Sequence, residues 1–142
     1  MAGHHAHIAR GIELFEGKPI YHGLGNGCVV THALAPAQDH PEWAERRKRM
    51  FGFEPDPAYP LAPFHPEAVN GMIGRLLWHE DGSLSAGLIP VWFEPPGRPA
   101  PAGGQAEAIL QYHMDSDRKA GLPELSARPD GICFMLKVSP GL

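Results

Sequence analysis

Three histidines stand within four positions near the start of the chain, His4, His5 and His7. An imidazole is a nitrogen donor that suits Zn, Mn, Fe, Ni or Co without choosing among them. In extended backbone, residues two apart project to the same side, so His5 and His7 are expected to share a face while His4 points the other way. That arrangement offers two imidazoles to one metal ion or to a metal pair. It does not complete a site, because catalytic zinc takes three protein ligands and two-metal centres need carboxylates as well. On spacing alone a His-x-His pair also fits surface histidines or an interrupted tag. The histidines run straight into Ile8-Ala9-Arg10-Gly11-Ile12 without a linker and are read as native.

Other groups invite chemistry and have plainer explanations. The run Gly23-Leu24-Gly25-Asn26-Gly27 suggests a dinucleotide loop, but Cys28 takes the place of the fingerprint's last glycine. Val29-Val30-Thr31 then favours a strand over the helix that must receive a pyrophosphate, so nucleotide binding is rejected. Cys28 and Cys133 lie far apart without CxxC spacing, which gives neither a disulfide framework nor a zinc ribbon. They read as two small buried hydrophobes, mildly favouring a reducing compartment. Arg46, Arg47, Lys48 and Arg49 crowd one end of a short helix. Cations there oppose the macrodipole, so a solvated helix end accounts for them; a phosphate or acidic-polymer site is the sharper alternative.

A short list of elements must position these groups. Ile12 and Leu14 alternate with Glu13, Glu16-Gly17-Lys18 turns, and Pro19-Ile20-Tyr21-His22 returns as the second strand of a hairpin. Pro41 to Phe51 reads as a helix with proline in its first turn, and Gly52 to Pro66 as a long proline-rich loop. Apolar runs Val69 to Trp78 and Leu84 to Phe93 flank the turn Glu80-Asp81-Gly82-Ser83 and predict two long antiparallel strands. Trp78, Val91 and Phe93 are expected to pack on the sheet. Residues 94–104 form a Pro/Gly-rich connector unsuited to a helix or an interior strand. Gln105 to Ala120 reads as a second helix with Ala108, Ile109, Tyr112 and Met114 near one face, stopped by Gly121 and Pro123. Asp130-Gly131 turns into a buried strand, Ile132 to Val138. The order hairpin, helix, hairpin, helix, strand is an α+β arrangement that reads as part of a layered structure.

The 142 residues fit one domain. Hydrophobic residues at 43% and charged residues at 20% exclude wholesale disorder. A net charge of -4 argues against a nucleic-acid binder driven by bulk charge. No apolar run approaches the length of a membrane-spanning helix, and the chain as written is assigned to the cytoplasm by default.

The segments Gly3-His4-His5-Ala6-His7, Arg10-Gly11-Ile12-Glu13, Gly17-Lys18-Pro19-Ile20-Tyr21 and Leu24-Gly25-Asn26 resemble a recurrent block of CapA-type poly-γ-glutamate capsule-synthesis proteins. There the block runs as Gly-His-His-Pro-His, a strand ending in Gly-(Lys/Arg)-Pro-Ile, and Ser-Leu-Gly-Asn. That family belongs to the calcineurin-like metallophosphoesterases, whose C-terminal metal motif is a Gly-His-x-His segment. The likeness is specific over residues 2–26; the later hairpin and its exit, through about Pro99, are similar to the family's tail. Ala6 departs from the usual proline, His22 stands where a serine is common, and Gly27 where an aromatic is common.

The resemblance implies the C-terminal part of a calcineurin-like layered α/β sandwich, with residues 1–142 as a single partial domain. It implies His5 and His7 as ligands of divalent ions (Mn, Fe or Zn), His4 as a third candidate, Gly3 for a tight approach, and Asn26 as a structural residue or one that braces a ligand. The family's Asp-x-His start, bridging aspartate and Asn-His segment precede this block and are not among these residues. The missing N-terminal half of the same domain is therefore the implied partner, with an acidic polymer or phosphate as ligand, and the chain alone is expected to be inactive. Family members often face outward behind a membrane anchor, which the resemblance extends to the parent protein. The reaction implied is metal-dependent hydrolysis of phosphoesterase type within capsule synthesis. A non-catalytic metal-binding module and a structural module that docks an acidic partner are the alternatives.

Overall fold

The computed structural model describes residues 1–27, 41–54, 56–59 and 65–139. Cys28, the strand expected at Val29-Val30-Thr31, part of the proline-rich loop and the side chain of Arg47 lie outside the described residues. The architecture is mixed α+β with antiparallel strand pairing and two α-helices. Strands β1 (Ile12–Phe15) and β2 (Lys18–Tyr21) form the first hairpin, pairing Ile12 with Tyr21 and Phe15 with Lys18. Its turn places Glu16 at φ 49° and Gly17 at φ 73°, the paired left-handed geometry that matches strand twist.

Helix α1 (Pro41–Phe51) follows, then a 3-10 turn at Pro66–Val69. Strands β3 (Asn70–Trp78) and β4 (Leu84–Glu94) pair along their whole length, from Asn70 opposite Trp92 to Trp78 opposite Leu84. Strand β5 (Arg98–Pro101) pairs with the far end of β4, helix α2 covers Ala106–Lys119, and β6 (Leu125–Asp130) and β7 (Cys133–Val138) close the chain. The main sheet runs β3-β4-β7-β6, with β5 beside β4 beyond the end of its pairing with β7.

The 94–104 connector thus contains a strand. Pro99 and Pro101 tolerate it because β5 is an edge that pairs only with β4. Pro90 inside β4 has a related explanation. Its carbonyl accepts from Ala102 N on the β5 side, and N–H and C=O of one strand residue point the same way. The missing donor therefore faces the gap between the β7 and β5 pairings.

The core lies between one face of this sheet and the layer formed by α2 and the first hairpin. Ile12 and Tyr21 from the hairpin meet Leu110 from α2 and Met72, Leu88, Phe134 and Leu136 from the sheet. The buried stripe of α2 is Ile109, Leu110, His113 and Asp117, so the expected face shifts. Ala108 is exposed, while Tyr112 and Met114 pack at the margin. Phe93 is fully buried as expected, but Trp78, at the hairpin tip, is 79% exposed. Cys133 is buried and unpaired, in keeping with a small hydrophobe. None of the described helices is long and apolar enough to cross a membrane.

Candidate functional site

The histidines occupy a loop pinned at both ends to a single outgoing stretch. On entry, Gly3 N donates to Tyr21 O at 2.7 Å, and Leu24 N donates to Gly3 O at 3.1 Å. On exit, Arg10 N donates to Gly23 O at 2.9 Å and Ala9 bridges Leu24. Residues 4–8 are looped out between these anchors. Gly3 is needed at the first of them, since a Cβ there would collide with the carbonyl oxygen of His22. Gly25 serves the second: its φ is +73°, and a Cβ would stand 2.9 Å from Ala9 N.

The loop backbone is not extended, so strand alternation does not set the side chains. His5 lies at φ 93° and His7 at φ 58°, both left-handed for residues with a Cβ. Each such residue stores roughly 1–2 kcal/mol that surrounding contacts must hold. The outcome still brings the two rings together, with centroids 6.4 Å apart and planes inclined by 43°. Both side chains are exposed. His4 goes elsewhere, lining an apolar groove of about 410 Å³ with Met1, Leu24, Ile73 and Leu76, a groove that neither His5 nor His7 lines.

Asn26 braces His7. It is 5% exposed, and its Oδ1 lies 2.9 Å from His7 Nδ1. An amide oxygen only accepts, so Nδ1 carries the proton and donates, which leaves the lone pair of the neutral ring on Nε2. Metal-ligating histidines are oriented in this way by a carbonyl or carboxylate on the other nitrogen.

The donor set fits part of a metal centre. Two imidazoles on one tetrahedral zinc place their centroids about 5 Å apart, given Zn–N bonds of about 2 Å. The 6.4 Å observed is wider. Both side chains would have to rotate to share one ion. Among the described residues no group of three or more His, Cys, Asp or Glu side chains is placed to hold a metal. His5 and His7 are two candidate donors, fewer than the three protein ligands that a catalytic zinc takes.

Two titratable groups that the sequence does not advertise are buried on the inner face of α2. Asp117 is 3% exposed and accepts from Ile12 N at 2.6 Å through Oδ1, tying α2 to β1. Its Oδ2 has no hydrogen-bond partner among the described residues. Burial pushes its pKa up to about 6, against the pull of the Ile12 N–H and of His22. His113, one turn earlier, is fully buried without a well-formed hydrogen bond on either ring nitrogen among the described residues. Burial pushes its pKa down to about 4, with the Gly71 backbone giving slight relief. The available signal was their spacing with Ile109 and Leu110, which continues an apolar stripe through polar residue types.

The basic run on α1 looks solvated. Lys48 pairs with Glu54, and Glu42, Glu45, Arg46 and Arg49 are exposed. No protein-family model matches the chain, and comparison with curated proteins found no match.

Proposed function

We infer that this chain supplies a His-x-His ligand segment to a metal-dependent hydrolase centre of CapA type, as the C-terminal portion of a calcineurin-like domain in capsule polymer synthesis. The observation that carries this reading is the His5–His7 loop: two histidines on left-handed backbone, their rings adjacent, with His7 Nδ1 held by buried Asn26. Left-handed backbone is uncommon for residues with a Cβ, and ligand presentation is a use that two imidazoles held in this way offer.

A divalent metal pair (Mn, Fe or Zn) at such a centre polarises a phosphoryl oxygen and lowers the pKa of a bound water. What these residues contribute is donor placement. His7 offers Nε2 because Asn26 fixes the tautomer, and Gly3 and Gly25 hold the loop ends against the hairpin. The carboxylates would come from the N-terminal half of the same domain, and the ligand would be a phosphate or an acidic polymer. A non-catalytic metal-binding module is the second reading; among the described residues no third protein ligand stands beside the histidine pair.

Calorimetric titration of the chain with Zn²⁺ and Mn²⁺ tests the assignment. Expected are one binding event, its loss in both His5→Ala and His7→Ala, and no metal-dependent phosphodiester turnover by this chain alone. Uptake that survives both substitutions would remove the ligands from these positions, and turnover by the isolated chain would overturn the divided centre.

A further inference from the structure

A second concave site is lined by both cations and carboxylates. It is an open cleft of about 900 Å³ between the segment leaving the histidine loop, the 3-10 turn before β3, and the second half of α2. That volume is ample for a small organic molecule. Arg10 and His22 stand on one wall, Lys119 on another, and Glu67, Asn70 and Tyr112 between them.

The carboxylates of the cleft are hydrogen-bonded to groups other than its two cations. Asp115 also lines it, but accepts from Arg118 and Gln111. His22 is bonded to Glu13 at 3.1 Å. The Tyr112 hydroxyl donates to Glu67 Oε2 at 3.1 Å, and burial beside that carboxylate raises its pKa to about 12, so the donor stays in place. Arg10 and Lys119 form no ion pair among the described residues. The formal charge of the lining is balanced, Arg10 and Lys119 against Glu67 and Asp115, so the two cations are distinguished by lacking an ion pair among the described residues and not by a positive field.

Arg10 is also prepared for its task. Its backbone N–H is bonded to Gly23, and its stem lies across that glycine, where a Cβ would stand 2.9 Å from Arg10 Cγ. The absence of a side chain at Gly23 lets the arginine lie flat along the hairpin exit. A guanidinium so held presents a planar fork, which matches a carboxylate or phosphate with two parallel hydrogen bonds. Tyr112 occupies Glu67 Oε2, which leaves Oε1 as the acceptor for a hydrogen-bond donor on the same ligand.

We propose that this cleft binds a small oxyanion-bearing molecule, a carboxylate or a phosphate, between Arg10 and Lys119, with a ligand hydroxyl or amine directed at Glu67. The site is independent of the histidine pair.

Calorimetry on the whole chain with inorganic phosphate and with succinate, in a chelating buffer that keeps metal off His5 and His7, decides it. Saturable binding of at least one probe is expected, weakened about tenfold in Arg10→Gln and in Lys119→Gln. Arg10→Lys keeps the charge but loses the fork, and should recover only part of the affinity. Arg128→Gln removes the same charge from an exposed strand outside the cleft and should change nothing. Tighter phosphate binding assigns a phosphate ester, and tighter succinate binding a carboxylate. Three results would overturn the proposal: no saturable binding of either probe, affinity unchanged by the Arg10 and Lys119 substitutions, or an equal loss in Arg128→Gln. Circular dichroism spectra that superpose on the parent chain confirm that each variant is folded.

Discussion

The smallest features of the histidine loop decide whether it can act as a ligand segment. Gly3 passes so close to His22 that one methyl group cannot be added without moving backbone. Gly3→Ala should therefore lose about 2 kcal/mol in urea denaturation, more than its modest helix- or strand-propensity change would give. Asn26→Ala tests the other support. Long-range nitrogen–proton spectra of His7 should show Nδ1–H in the parent chain, and a shift toward Nε2–H once Oδ1 is gone. Metal affinity should fall 10- to 100-fold at the same time, the usual effect of removing a group that orients a ligand. An unchanged tautomer would mean that the 2.9 Å contact does not set the ring. Gly3 and Asn26 were both legible in the sequence, through the resemblance of residues 2–26. The left-handed backbone at His5 and His7 was not, because nothing in their residue types calls for positive φ.

Among the elements, those with strong local signals were legible and those shaped by partners were not. Alternation at Ile12 and Leu14, the Glu80–Ser83 turn, and the proline and glycine limits of the two helices each fix an element from within its own sequence. Strand β6 was missed because Ser126, Arg128 and Pro129 resemble a loop; it exists as an edge paired with β7, where a proline is tolerated. The buried face of α2 was misjudged for a similar reason, since His113 and Asp117 are polar types given core positions by the packing of α2 against the sheet and β1. The first hairpin packs on that sheet beside α2. Tyr21 shows how the hairpin is attached. Its hydroxyl donates its single proton to Gly87 O at 2.7 Å, with Arg75 O 3.2 Å away, crossing from the hairpin onto the sheet. Gly74 makes room, as a Cβ there would press on the tyrosine ring at 3.1 Å. Tyr21→Phe keeps the ring and removes the donor, so it should lose about 1–2 kcal/mol and speed hydrogen exchange across residues 12–21 before the rest of the molecule. Uniform acceleration over the whole sheet would instead make the hydroxyl a general stabiliser rather than a hairpin anchor.

For the molecule as a whole, the two buried titratable groups of α2 predict how stability responds to pH. Asp117 has a folded pKa of about 6 against an ordinary 3.8, so the fold binds its proton more tightly than the unfolded chain does. Its contribution is complete below about pH 4 and is lost as pH rises through about 6. His113 has the opposite displacement, about 4 against 6.5. Its contribution is complete above about pH 6.5 and is lost as pH falls toward 4. Each shift corresponds to roughly 3 kcal/mol, and the two slopes oppose each other over nearly the same interval. In the parent chain they should largely cancel, leaving other carboxylates to shape the curve. Substitution separates them. Asp117→Asn keeps an acceptor for Ile12 N, and should exceed the parent in stability by up to about 3 kcal/mol at pH 7, with the difference closing by pH 4. His113→Phe fills a similar volume without titrating, so its difference from the parent should stay constant above pH 6.5 and move in the variant's favour as pH falls. Urea midpoints for the three proteins at pH 4, 5, 6 and 7 read both differences directly. Parallel curves would mean that neither group changes its proton affinity on folding, and that the inner face of α2 is wetter than its burial suggests. Diverging curves would assign two opposed ionisations to the buried face of α2, with Asp117 bonded directly to the hairpin that follows the histidine loop.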